Sequence, residues 1–157
     1  MQKLLTRKEY SEVISKFSKN YCAFCDKNFK QIEVRQTKEW NLVFNIAPYW
    51  LYHLIIYPKR HIEKMSEISA EDFEQIKFLY DQALGLYKDN KIKHKNTGKL
   101  IDQYVLIFRY RESTENNFKS YKVRHLHIHI SPDCEDSFDP ILDKDASETN
   151  LENFIFS

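Results

Sequence analysis

Residues 125–130 read HLHIHI, so three of the six histidines of this 157-residue chain fall at alternate positions of one short apolar run. A β-strand sends successive side chains to opposite faces, which predicts a strand with His125, His127 and His129 on one face and Leu126, Ile128 and Ile130 on the other. The apolar face is expected to bury, leaving the imidazole face for chemistry. At a rise of about 3.3 Å per residue the first and third imidazoles start about 13 Å apart, too far for one metal ion to take all three easily. At least one histidine therefore needs another job. The competing account is a one-sided strand whose polar face happens to carry histidine.

Outward from this run, the remaining elements read from pattern. Thr6 and Glu9 form a capping-box pair, and Tyr10, Val13, Ile14 and Phe17 follow at helical spacing, which predicts a helix over 7–19. QIEVRQ (31–36) and NLVFNI (41–46) suit two strands of a hairpin turning near Lys38 and Glu39. LYHLIIYP (51–58) is a third strand closed by Pro58, and KRHIEKM leads to a long helix capped by Ser69 with Asp72. That helix carries an apolar stripe through Phe73, Ile76, Leu79, Tyr80, Ala83, Leu86 and Tyr87, as expected of a helix lying on a sheet. KDNKIKHKNTGK (88–99) is basic and turn-forming; a solvated loop accounts for it better than a polyanion site, and His94 receives no role. QYVLIFRYR (103–111) is the fourth strand, and the histidine run is the fifth. The expected fold is α+β: an antiparallel sheet of about five strands with one long helix packed on it and an N-terminal helix. Residues 1–157 read as a single domain with a polar tail from about 133, whose apolar end, LENFIF, is expected to dock on the body or on a second subunit.

Composition narrows the function classes. Twenty-four Lys plus Arg against 23 Asp plus Glu supply no bulk attraction to nucleic acid or to an anionic membrane, so the partner is expected to be small or local. No signal peptide and no stretch long enough to span a membrane is evident, and the expectation is a soluble, cytoplasmic protein. Only Gly85 and Gly98 are glycines, which removes every glycine-rich phosphate loop.

YCAFC (21–25) places two thiols at the spacing that lets both sulfurs reach one tetrahedral ion. A thioredoxin-type role would want the first cysteine at a helix N-terminus after a strand, whereas here a helix precedes and strands follow. Zinc is favoured over redox chemistry or mere packing. Two further ligands are then needed, and His61 and one histidine of the 125–130 run are the candidates. Cys134 is left over.

Together these stretches resemble a known family. HLHIHIS (125–131) looks like the HxHxHxx signature of the histidine-triad superfamily, and NIAPYWLYHLIIYPKRHI (45–62) resembles its strand and turn ending in a PKxH element. The PYW segment is similar to galactose-1-phosphate uridylyltransferase, a larger relative, and the early CxxC resembles zinc-binding bacterial triad proteins. The resemblance covers roughly residues 20–132.

Residue by residue, the resemblance implies His127 as nucleophile and a structural zinc held by Cys22, Cys25, His61 and His125. His129 falls where hydrolase branches keep histidine and the transferase branch has glutamine, which favours hydrolysis. His53 falls on a histidine beside the active centre, and Asn45 where many members use an acidic residue for the ribose hydroxyls. The glycine-rich stretch that usually precedes the triad strand is replaced by NFKSYKVR (117–124), in which Ser120 and Lys122 are candidate phosphate donors or solvated loop residues. Tyr49 and Trp50 suit either a base-stacking platform or the core, the core being the commoner fate. A homodimer is implied by resemblance only.

The expected activity is cleavage at the α-phosphate of a nucleotidyl phosphoramidate or dinucleoside polyphosphate through a nucleotidyl-histidine intermediate. The alternatives are nucleotidyl transfer to a phosphate or sugar phosphate, and a zinc-stabilised nucleotide-binding protein without catalysis.

Overall fold

A computed structural model describes residues 3–18, 21–112 and 124–132 together with Ala146, Leu151 and Phe154. Within them run α1 (Arg7–Ser15), β1 (Ile32–Gln36), β2 (Trp40–Phe44), β3 (Leu54–Pro58), α2 (Ala70–Asp89), β4 (Tyr104–Arg109) and β5 (His127–Pro132). The five strands form one sheet in the order β1-β2-β3-β5-β4, with every neighbouring pair antiparallel. The architecture is the expected α+β one. Among the described residues no helix is long and apolar enough to cross a membrane.

The two faces of the sheet have separate tasks. Leu42, Ile56 and Ile128 lie abreast across β2, β3 and β5, as do Phe44, Leu54 and Ile130, and all six are buried. α2 covers them with Ile76, Leu79, Ala83, Leu86 and Tyr87, the Ile and Leu side chains contributing about 1.5–3 kcal/mol each when their apolar surface leaves water. Leu151 and Phe154 join the same core, Phe154 meeting the edge of Phe44 at 5.1 Å between ring centroids, so these two tail residues dock on the body. The opposite row runs Val43, Ile55, His129 and Ile107, with His127 and Arg109 paired in the next.

Both capping boxes form as the sequence predicts. Thr6 Oγ1 accepts from Glu9 N–H while Glu9 accepts from Thr6 N–H, and Ser69 and Asp72 repeat the arrangement at α2. Asp72 does more than cap. Its buried carboxylate also accepts from Trp40 Nε1 at 2.8 Å and from both terminal nitrogens of Arg60, tying α2, β2 and the turn after β3 together.

Several boundaries differ from the sequence expectation. α1 stops at Ser15 rather than 19, because Lys16 and Phe17 donate to carbonyls three residues back and tighten the helix shut. β2 ends before Asn45, whose side-chain oxygen takes the Ala47 N–H and starts a turn. β3 begins at Leu54, not 51, since Tyr52 adopts a left-handed conformation (φ 57°) with its carbonyl held by the Tyr87 hydroxyl. Phe73, placed in the apolar stripe, is exposed, and the buried position of that turn is Asp72.

The decisive strand itself shifts to 127–132. His125 lies in a bend before it, and Leu126 donates its N–H to Ile62 O at 2.7 Å. Nor is the imidazole face left open to water, for His125, His127 and His129 are all buried.

Candidate functional site

Cys22 and Cys25 sit on a tight knuckle in which Cys25 and Asp26 both donate backbone N–H groups to Cys22 O at 3.1 Å. The Leu126 to Ile62 hydrogen bond brings the following segment alongside, with the rings of His61 and His125 4.9 Å apart. His125 Nδ1 lies 3.5 Å from Cys22 Sγ and 3.4 Å from Cys25 Sγ, and His61 Nδ1 is 3.3 Å from Cys25 Sγ. All four donor atoms fall within 4.8 Å of one another, so Cys22, Cys25, His61 and His125 could hold one metal ion.

The far nitrogens show that these rings are aimed. His125 Nε2 bonds Pro58 O at 2.7 Å and His61 Nε2 faces Glu63 Oε1 at 3.2 Å. Both partners accept, so each Nε2 carries the hydrogen and each Nδ1 presents its lone pair to the sulfurs, the tautomer a metal ligand needs. Burial holds the His125 imidazole neutral, its pKa pushed down to about 4. Burial, with Cys22 beside it, raises the Cys25 thiol to about 11. Loss of both thiol protons there would call for a cation.

Between the cysteines, Phe24 stacks on Tyr57 at 4.3 Å and lies 5.4 Å from the ring of His127. The knuckle thus ends on the middle histidine. His127 Nδ1 is 2.7 Å from His125 O; a carbonyl only accepts, so Nδ1 is the donor and Nε2 keeps its lone pair. Burial pushes the His127 pKa down to about 4, with the positive charge of Arg109 acting in the same direction.

A second chain of bonds fixes the third histidine in the opposite tautomer. Tyr49 donates its backbone N–H to His53 Nδ1 at 3.1 Å, and Asn45 Nδ2 reaches the same atom at 3.2 Å. The hydrogen of neutral His53 is therefore on Nε2, which meets His129 Nδ1 at 2.7 Å. His129 must then carry its own hydrogen on Nε2. His53 is held well below its ordinary pKa by burial and then by His129, and His129 is pushed down to about 2 by burial and then by His127. With the rings of His127 and His129 4.7 Å apart, the site sets an imidazole lone pair beside an imidazole N–H.

His127 and His129 line a cavity of about 510 Å³ between the histidine face and α1. Asn45 and Tyr49 line it too, whereas Trp50 packs on His53 at 4.4 Å. Ser120 and Lys122 lie outside the described residues, as does Cys134. The sequence reading missed four cavity arginines, Arg7, Arg109, Arg111 and Arg124. The period of β4 could have found one of them, since Arg109 has the same parity as Ile107 and faces the histidines. Arg7 is fixed by donating to Ala47 O at 2.8 Å and by lying over the Tyr49 ring at 4.0 Å.

No family model and no curated protein matches the chain. Solved structures do. A uridylyltransferase superposes with a TM-score of 0.54 at 18% identity, over 80% of this chain and 36% of its own. The present chain thus spans little more than a third of that protein's length. A histidine-triad family hydrolase from Legionella pneumophila Philadelphia 1 gives 0.51 at 23% identity, over 76% of this chain and 99% of its own. A histidine triad nucleotide-binding protein from Candida albicans gives 0.50 at 20% identity, over 70% and 73%. The chain has the fold shared by histidine-triad proteins and uridylyltransferases.

Proposed function

We propose that the protein is a nucleotide phosphohydrolase in which His127 attacks the α-phosphate of a nucleotide conjugate. The observation that carries this reading is the pair of opposite tautomers, a lone pair on His127 Nε2 next to an N–H on His129. The Nε2 lone pair forms a bond to phosphorus as the bond from phosphorus to the leaving nitrogen or oxygen breaks, its electron pair departing with that atom. His129 Nε2–H donates to a phosphoryl oxygen, where charge builds up in the transition state. Water then attacks phosphorus and loses its proton to solvent, the N–P bond breaks, and the electron pair returns to Nε2. His53 acts through His129 by holding its tautomer. Asn45 orients His53 and has an amide hydrogen and a lone pair left for a sugar hydroxyl.

The metal best suited to the cluster is zinc. Zn–S near 2.3 Å and Zn–N near 2.0 Å make the S···N edge of a tetrahedron about 3.5 Å, against the 3.3–3.5 Å measured between sulfurs and imidazole nitrogens. Four protein ligands close the coordination sphere, so zinc would supply structural cross-linking here.

Incubation with adenylated and guanylated substrates, a mild alkaline quench and mass analysis test the reading. A nucleotidyl adduct on the peptide carrying His127 that turns over with water is the expected result. Turnover only with an added phosphate or sugar phosphate acceptor would make the protein a transferase. Binding without adduct or turnover would reduce it to a nucleotide-binding protein.

A further inference from the structure

Arg7, Arg109, Arg111 and Arg124 reach the cavity from α1, from β4 and its continuation, and from the segment before β5. No acidic side chain is present among the described residues of the lining. The ion pairs among the described residues, Arg60 with Asp72 and Lys77 with Asp81, leave Arg7, Arg109 and Arg124 outside them. A chain with a formal charge of +1 thus gathers four permanent cations around one space of about 510 Å³. A guanidinium stays charged throughout the physiological range and offers five N–H donors in a planar fork suited to phosphate oxygens. Cations grouped in this way favour an anion among them.

Their placement relative to His127 says where that anion lies. Arg109 is the cross-strand partner of His127, and the chain continues from it to Arg111, whose N–H is tied to Glu63 O at 2.7 Å beside the metal cluster. Arg124 adjoins His125 in sequence. Arg7 sits on the other side, stacked on Tyr49 near His53 and with one of its five donors used on Ala47 O. The cations therefore line the same cavity as His127 from separate elements. A lone α-phosphate has two unesterified oxygens, one of them engaged by His129 in the proposed step, and cannot occupy all of these forks.

We infer that Arg7, Arg109 and Arg124 form a polyanion subsite that takes a run of two or more phosphates continuous with the phosphate attacked by His127. This rests on His127 as the phosphorus-directed nucleophile and selects, within that reading, oligophosphate-linked substrates over phosphoramidates. The bond broken is then the one from the attacked phosphorus to a bridging oxygen, which departs as an oxygen of an oligophosphate anion whose charge the arginines balance.

Calorimetric titration of the full metal-loaded chain with inorganic tripolyphosphate and with orthophosphate tests the subsite without requiring turnover. Tripolyphosphate is expected to bind about 30-fold more tightly at low ionic strength and to lose that advantage in roughly 0.5 M salt, where the Debye length shrinks to about 4 Å. Arg109 is exposed and Arg124 partly so, so Arg109→Gln and Arg124→Gln leave the core intact, and each should cut the tripolyphosphate affinity about fivefold or more. Lys77→Gln, on the exposed face of α2, should leave it unchanged. Equal affinity for the two anions, or a preference untouched by both arginine substitutions, overturns the inference. A parallel assay compares a triphosphate-bridged dinucleotide with a nucleoside phosphoramidate. Hydrolysis of neither, with tripolyphosphate binding as expected, would defeat the proposed hydrolase while the subsite stands; faster cleavage of the phosphoramidate would defeat the subsite as a determinant of specificity.

Discussion

His53 Nε2 and His129 Nδ1 are 2.7 Å apart and both rings are buried, so the position of one hydrogen on His53 dictates where the hydrogen of His129 must be. His53→Asn tests this control. The Asn side chain keeps a polar group near Nδ1, able to answer Tyr49 N–H, but has nothing at the position of Nε2. In the proposed hydrolase kcat should fall about 10- to 100-fold, the range of one positioned proton-bearing group, with KM changed less than about threefold. Nitrogen NMR of the His129 ring should show the single Nε2–H tautomer of the native protein replaced by a mixture. An unchanged tautomer with lowered kcat would leave the positioning role without support.

Burial of His53 and His129 as neutral rings makes stability depend on pH. Both folded-state pKa values lie below the ordinary value of about 6.5, His129 at about 2, so on acidification the unfolded chain takes up protons that the folded chain refuses. Stability is fully present above pH 6.5 and is lost as pH falls below it, by about 1.4 kcal/mol per pH unit for each ring once well below 6.5. His129→Asn removes one such ring. Urea unfolding between pH 7 and pH 4.5 should therefore give an average slope shallower by about 1 kcal/mol per unit in the variant, and identical slopes would contradict the assignment of a buried neutral imidazole.

The parts of the fold legible in the sequence are those written at short period. Alternation in 125–130 and helical spacing in 70–87 placed the strand and the helix because each pattern reports a face that one neighbour buries. The strand's start was misjudged by two residues because His125 leaves the ladder to face the cysteines, a demand made by residues a hundred positions away. The candidate metal set was legible through the CxxC spacing and the family resemblance together. The arginines were not, since positions 7, 109 and 124 have no common period and meet only when the sheet brings β4 beside β5. Asp72 was read as a cap, which it is, but its bonds to Trp40 and Arg60 depend on tertiary placement.

That carboxylate is a stability determinant. Asp72 is 3% exposed, and the Arg60 guanidinium beside it, with Ser69 and Trp40 adding hydrogen bonds, holds its acid form well below the usual carboxylate range. Asp72→Ala would leave the buried Trp40 Nε1–H without its acceptor and open the cap of α2, at a cost of about 2–4 kcal/mol. Arg60 is 38% exposed in its side chain, so water replaces much of what Arg60→Met removes, and its cost should be nearer 1 kcal/mol. Urea melts of the two variants decide the order; an equal loss would mean that the ion pair, and not the buried hydrogen bonds, dominates.

The metal cluster should be felt at His127 through Phe24. The phenyl ring lies between the two cysteines in sequence and against Tyr57 and His127 in space, so a metal bound at the knuckle would press one wall of the cavity into place. Metal analysis of the purified protein should find about one zinc per chain, and Cys22→Ser should lower both that ratio and the thermal midpoint. Chelation should act in the same direction, with activity falling as the metal leaves and returning when zinc is restored. Phe24→Ala separates the two effects, because it leaves all four candidate ligands in place: zinc content should stay near one per chain while kcat/KM of the proposed hydrolase drops about tenfold, a loss of roughly 1.4 kcal/mol in positioning the proposed nucleophile. Full activity in Phe24→Ala would disconnect the knuckle from His127 and leave the metal with the fold alone.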